Sequence, residues 1–311
     1  MICAFIASVR GVFGIVPVCR ALTAHGISVS PRTYHDRRVR PASRRAVRDA
    51  WLTAILAGLF EPDERGRRKP ESLYGAVKAW AYLRRQGITV ARCTVERLMR
   101  ANGWRGNVRG PRRVRTTVPE PADPRAPDLV NRDFAAQRPG QLLVCDFTYV
   151  PLAGGGFGYT AFVIDAFAGT ICGWECSLSR AAAFVQRALA QASAHLRRAG
   201  AAPGICHSDA GSQYTSVRYG ESLTLAGLAG SVGTVGDAYD NALAETTIGL
   251  YKAECVRHGS PFRGGPLRTA GDIEKITAAW VHWYNHERLM HRTGLRPPAE
   301  ADAACRASRP A

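Results

Sequence analysis

Three closely spaced runs of β-branched and aromatic residues most constrain the fold of this chain. They are "LLVCDFTYVPL" (142–152), "GYTAFVIDAF" (158–167) and "TICGWECS" (170–177). Only short glycine-containing turns separate them, which reads as three consecutive antiparallel strands. The pattern then changes. "SRAAAFVQRALAQASAHLRR" (179–198) has helical spacing, "GICHS" (204–208) reads as a strand and "SVRYGESLTLAG" (216–227) as a helix. "LAGSVGT" (228–234) is a further strand, and a last helix starts near Asp240. A strand that returns to the same sheet after a helix runs parallel to its neighbour, by a right-handed crossover.

The order βββαβαβα is that of the ribonuclease H-like, retroviral integrase-like α/β fold: a three-strand meander, then two parallel strands reached by crossover helices. That topology gives meaning to three isolated acids. Asp146 lies in the first strand, Asp209 follows the fourth, and Glu245 sits about one turn into the last helix. Parallel neighbours with equivalent ends bring Asp146 and Asp209 together, and the helix carries Glu245 beside them. All-oxygen ligands of this kind suit Mg²⁺ or Mn²⁺, not zinc. Two such ions ~4 Å apart activate an attacking oxygen and stabilise a leaving one in phosphoryl transfer. Helical phase agrees: Asn241 and Lys252 fall about 40° and 20° from Glu245, while Leu243 and Leu250 fall about 160° and 140° away.

Charge separates the chain into two halves. Residues 1–140 hold 27 Lys/Arg against 11 Asp/Glu, and residues 141–311 hold 15 against 14. A cationic front half points to a polyanion, with DNA the leading partner. Helical spacing runs through 42–59, 72–86 and 91–104, and the last of these carries Arg92, Arg97 and Arg100. A helix, a turn and an Arg-studded helix outline a helix-turn-helix reader of DNA, or a purely structural helix pair. Residues 106–139 are rich in proline and arginine and read as a basic linker. The expected organisation is an all-α DNA-binding region (1–105), the linker (106–139), the catalytic core (140–258) and a helical extension (259–311).

Nine scattered cysteines without a C-x-x-C pair exclude zinc-finger spacing and fit a reducing compartment. No apolar run reaches the ~18 residues of a membrane span, and the expected location is the bacterial cytoplasm, at the nucleoid. Histidines 282 and 286 are spaced i,i+4, but three residues separate Glu287 from His291, so the zinc-protease pattern fails. His207 shares the strand face of Asp209; phosphate, a metal-bound water or a structural hydrogen bond are all open to it. Gln213 and Tyr214 offer polar groups that shape the turn after Asp209.

"CDFTYV", "HSDAGSQYTS", "SVGTVGDAYDNALAETTIGLYKAE" and "WYNHERLMHRTGLRPPAE" resemble the second reading-frame product of IS3-family insertion-sequence transposases. The 35 residues between Asp209 and Glu245 match that family's D-D-35-E spacing. "VARCTVERLMRANGWRG" is similar to its helix-turn-helix segment. The resemblance implies Mg²⁺-dependent DNA strand cleavage and strand transfer, with Asp146, Asp209 and Glu245 holding the metals and Lys252 contacting DNA. Tyr284, Asn285 and Arg288 would belong to a terminal helical motif that closes on the core. It also implies a homo-oligomer on DNA and fusion to an upstream-frame product, since "CAFIASVRGVFGIVPVCRAL" (3–22) resembles the start of a second frame. Ala210, Ile248 and Gly169–Thr170 replace residues the family often uses toward DNA. The alternative is therefore a catalytically weakened, transposase-derived protein that occupies element ends.

Overall fold

The computed structural model describes residues 2–108, 127–130, 134–202, 204–209, 211, 213–233 and 242–308. Two compact units divide the chain, Met1–Leu56 and Ala57–Ala311. The first contains α1 (Ile2–Phe13), α2 (Ile15–Ala24), α3 (Pro31–Val39) and most of α4 (Arg44–Phe60). Ile6, Val18, Cys19 and Tyr34 form its small core. Ser30 starts α3 as an N-cap, its hydroxyl accepting from Thr33 N–H at 3.0 Å, with Pro31 at the first helical position.

In the second unit, α5 (Ala76–Arg85) and α6 (Arg92–Ala101) form the expected helix pair, α5 beginning at Ala76, after Gly75 as its N-cap, rather than at 72. A 3₁₀ turn, Pro70–Leu73, precedes α5. Gly106 lets the chain cross the start of α5: a Cβ there would lie 2.5 Å from the Gly75 nitrogen. Val95, Leu98 and Met99 are the buried stripe of α6. The expected boundary at 105 does not coincide with the division after Leu56, because α5 and α6 pack in the unit that holds the sheet. Tyr74 Oη donates to the Glu287 carbonyl at 3.1 Å, Trp283 Nε1 donates to Glu71 Oε1 at 3.2 Å, and Arg85 pairs with Glu300 at 2.6 Å.

The sheet has the order β3–β2–β1–β4–β5, formed by β1 (Leu142–Pro151), β2 (Phe157–Asp165), β3 (Ile171–Ser177), β4 (Ile205–Ser208) and β5 (Ala229–Val232). β1–β2 and β2–β3 are antiparallel, whereas β1–β4 and β4–β5 are parallel. This is the topology that the strand and helix order implied. One face is covered by α7 (Ala183–Arg198) and α8 (Val217–Ala226), with Leu143, Cys145, Val163, Phe184, Ala188 and Leu189 in one cluster. Gly173 permits this approach, since a Cβ on it would collide with the Ala188 carbonyl of α7. The other face receives α9 (Ala242–Tyr251), a π-helical turn (Lys252–Val256) and α10 (Ala270–His286). There Phe162, Tyr251 and Trp280 meet with ring centroids 5.0–6.0 Å apart. A 3₁₀ turn (His291–Thr293) and α11 (Pro298–Ala307) end the described chain. Part of the linker is docked: Leu129 N–H donates to Ser231 Oγ on edge strand β5 at 3.0 Å, and Val130 is buried.

Candidate active site

Asp146 pairs in register with Phe162, and residues directly opposed across antiparallel strands share a face. Because the Phe162 ring meets Tyr251 and Trp280, Asp146 lies on the α9 side of the sheet. Its neighbours Cys145 and Phe147 belong to the opposite, α7 side. Cys145 pairs with Ser208 on β4, so Asp209, one residue further on, ends beside Asp146. Cys206 belongs to the α7-side cluster, and alternation turns His207 and Asp209 the other way. Glu245 lies in the first turn of α9, with an exposed side chain.

Electrostatics tie these groups together. Burial holds the Asp146 carboxyl well above the usual carboxylate range, and the charges of Asp209 and Glu245 push it the same way. The Phe147 N–H, which donates to Asp146 Oδ1 at 2.7 Å, and the Lys252 cation oppose that shift. Asp209 is also raised, first by burial, although Gly211 N–H donates to its Oδ1 at 3.1 Å. A carboxyl whose proton affinity is raised by burial and by neighbouring acids is short of positive charge. As the chain lies, no three acid, histidine or cysteine side chains among the described residues converge closely enough to cage an ion. The donors are all carboxylate oxygens, mutually repelling and partly buried. That chemistry fits a hard divalent cation.

Lys252 is exposed and within electrostatic reach of Asp146. Asn241 lies outside the described residues, as does Ala210. Arg92 and Arg100 are exposed on α6, Arg92 pairing with Glu96 at 3.1 Å, and Arg97 is half-buried. His207 is buried, 1 % exposed, its Nδ1 2.9 Å from Ser231 Oγ and its ring edge-on to Phe134. Of the roles open to it, the structure favours the hydrogen bond within the protein. Gln213 Nε2 donates to the Arg180 carbonyl at 3.3 Å, and Tyr214 is buried against Phe147 and Tyr219. Tyr284, Asn285 and Arg288 are buried in the packing of α10. Asn285 brackets Ile171 on β3: its Oδ1 accepts from the Ile171 N–H and its Nδ2 donates to the carbonyl, both at 2.9 Å. Sequence reasoning passed over Glu254, which is buried and bonded to Arg288. A charged residue on the apolar stripe of the last helix was the available signal.

Residues 136–238 match the integrase core domain family, and residues 63–112 match an HTH-like domain family. The chain is 43% identical over 304 residues to the transposase for insertion sequence element IS629 of Shigella sonnei, covering 96% of this chain and 95% of that protein. It is 45% identical over 284 residues to a putative transposase for IS986/IS6110 of Mycobacterium tuberculosis (strain ATCC 25618 / H37Rv), covering 90% and 97%. A solved structure of the HTLV-2 integrase catalytic core domain in complex with magnesium aligns at 17% identity and a TM-score of 0.43, over 54% of this chain and 99% of that one. Near-complete coverage at this identity, joined to an integrase core and an HTH-like domain, shows that the chain belongs to the insertion-sequence transposases.

Proposed function

We propose that this transposase cuts DNA at the ends of its element and joins the freed ends to target DNA, with Asp146, Asp209 and Glu245 as its metal ligands. The observation that carries this reading is the parallel register of β1 and β4, which sets Asp146 beside Asp209 on the face of an integrase-type sheet that α9, carrying Glu245, covers. When bound, two Mg²⁺ or Mn²⁺ ions supply Lewis-acid stabilisation of the phosphate oxygens and of the attacking and leaving oxygens. The chain's own residues do the rest. Asp146 and Asp209, anchored on adjacent strands, fix the two ligands that move least. Glu245 approaches from a helix and completes the set. Lys252, one helical stripe along, neutralises a phosphate next to the one that reacts. In cleavage a water oxygen replaces the 3′ oxygen at phosphorus and frees a 3′-hydroxyl; in transfer that hydroxyl attacks a target phosphate, gives up its proton and displaces the target strand's own 3′ oxygen, which leaves as a new 3′-hydroxyl.

Asn241, by its helical phase with Glu245 in the sequence, contacts DNA together with Lys252, and Arg92, Arg97 and Arg100 track phosphates from α6. Gln213 and Tyr214 shape the turn after Asp209. The working form is a homo-oligomer on DNA, fused to the upstream-frame product and located in the cytoplasm at the nucleoid. The test is a labelled duplex carrying the element's terminal repeat, incubated with the chain and Mg²⁺. Nicked and joined products are expected, and each amide variant, Asp146→Asn, Asp209→Asn and Glu245→Gln, should lose both while binding DNA within a few-fold of wild type. Metal-dependent cleavage by any of the three rejects the ligand assignment.

A further inference from the structure

Glu254 sits nine residues after Glu245, about 180° around the same helix. It lies within the π-helical turn Lys252–Val256, where Arg257 N–H donates to the Lys252 carbonyl at 3.0 Å. Its carboxylate is fully engaged. Arg288 Nη2 donates to Oε1 at 2.6 Å, Arg288 Nε donates to Oε2 at 2.9 Å, and Trp280 Nε1 donates to Oε2 at 3.3 Å. Both members of the ion pair are buried, with side chains 6 % exposed.

The same short segment is held at three more points. Thr277 and Tyr251 hydroxyls meet at 2.7 Å, Cys255 Sγ donates to the Ile276 carbonyl at 3.3 Å, and Asn107 Nδ2 donates to the Ala253 carbonyl at 2.8 Å. A π turn is a rare geometry, frequent at functional sites, and it persists only where its surroundings hold it. A buried ion pair is not a strong source of stability either, because an apolar pair of similar volume is often as stable. Stability alone therefore does not explain Glu254 and Arg288.

We propose that Glu254 and Arg288 are positioning residues, whose ion pair holds the π turn open and thereby keeps Glu245 and Lys252 in common phase over Asp146. This inference rests on the acid-site reading given above. Lys252 is the first residue of the π turn, and α9, which carries Glu245 and runs directly into that turn, packs against β1, which carries Asp146. If the turn relaxed to α spacing, one residue would leave it. The stripe carrying Glu245 would then rotate by about 100° against the part pinned to α10.

The test uses the full chain with Glu254→Gln and Arg288→Met combined, which removes both charges and leaves no buried ion alone. The readouts are the thermal midpoint, Mn²⁺ affinity by electron paramagnetic resonance, duplex affinity and strand cleavage. The expected result is a folded protein with wild-type duplex affinity, Mn²⁺ affinity lower by about tenfold and cleavage lower by ~100-fold, the scale of an ångström-sized misplacement. Should the double variant not fold, Trp280→Phe removes only the indole donor and keeps a ring in place. It is expected to shift Mn²⁺ affinity and cleavage in the same direction with a smaller amplitude. A folded variant with wild-type Mn²⁺ affinity and cleavage overturns the inference. Wild-type protein that neither binds Mn²⁺ through Asp146 nor cleaves overturns the acid-site reading, and this one with it.

Discussion

Asp146, a proposed metal ligand, is buried at a cost to folding. Its carboxyl is raised by burial and by Asp209, so ionising it at neutral pH opposes the folded state. In metal-free buffer at pH 7.5, Asp146→Asn is expected to raise the thermal midpoint of the protein. Adding Mg²⁺ at a hundred times its dissociation constant should stabilise the wild type by about 2.7 kcal/mol and so raise its midpoint, and leave that of the variant unmoved. A lower midpoint for the variant would mean that the carboxylate is paired and stabilising. Asp165 offers a second titration, remote from the proposed chemistry. At the end of β2 it accepts from Gly140 N–H at 2.6 Å and Phe167 N–H at 2.9 Å, yet burial pushes its pKa from 3.8 up to about 6. The folded state therefore holds this proton where the unfolded chain has released it. Its contribution, about 3 kcal/mol, is fully present below pH 3.8 and is lost as pH rises through 6. Urea midpoints of Asp165→Asn should fall less steeply than those of the wild type between pH 4.5 and pH 7. Parallel curves would refute the shift. Neither pKa was legible in the sequence, where an Asp on a strand carries no sign of its burial.

At the level of elements, two contacts decide whether helices seat on the sheet. Gly173 lies in the middle of β3, where α7 comes close enough for its Ala188 carbonyl to occupy the space of a side chain. Gly173→Ala should lower stability by about 1–3 kcal/mol through overpacking, measured by denaturant unfolding. On the other face, Asn285 bonds both backbone groups of Ile171 at the start of edge strand β3. Asn285→Leu leaves a buried N–H and a carbonyl unmatched, an expected loss of about 2–4 kcal/mol. If the variant is as stable as the wild type, the bracket contributes nothing. The element order was readable because strand runs and helical spacing differ in period. The individual docking contacts were not, because a glycine in a strand and an asparagine in a helix each have many possible reasons. The α5 start shows the limit of periodicity: the apolar pattern continues back to 72, but Gly75 breaks the helix from the preceding 3₁₀ turn.

For the molecule as a whole, the excess of 27 cations over 11 acids in residues 1–140 makes a salt-sensitive association with DNA the expected behaviour. For six phosphate contacts, duplex affinity should fall by ~10³-fold between 50 and 200 mM salt, followed by fluorescence anisotropy. A flat salt response would remove the phosphate-tracking role of α6. The cationic half is not an independent body throughout. Glu71 is 8 % exposed and meets Trp283, Tyr74 bonds the end of α10, and Arg85 pairs with Glu300 of α11. A fragment ending at residue 139 would strip these partners away, and its α5–α6 region is expected to melt well below the full chain when followed by circular dichroism. Matching midpoints would show that the front half folds alone.

The sequence by itself determined the strand and helix order and the sheet topology that follows from it, and its helical period put Glu245 and Lys252 on one stripe. These are local or topological properties: side-chain period is written residue by residue, and crossover handedness leaves few ways to close the sheet. Tertiary structure decided what no local pattern encodes. It buried His207 against Ser231, turned Tyr284 and Asn285 into packing groups, docked the end of the linker on β5, and paired Glu254 with Arg288 across 34 residues. Each of these depends on which surfaces meet. That is fixed by the summed packing of distant segments in a low-dielectric interior, where a polar group without a partner is costly and its partner comes from anywhere in the chain.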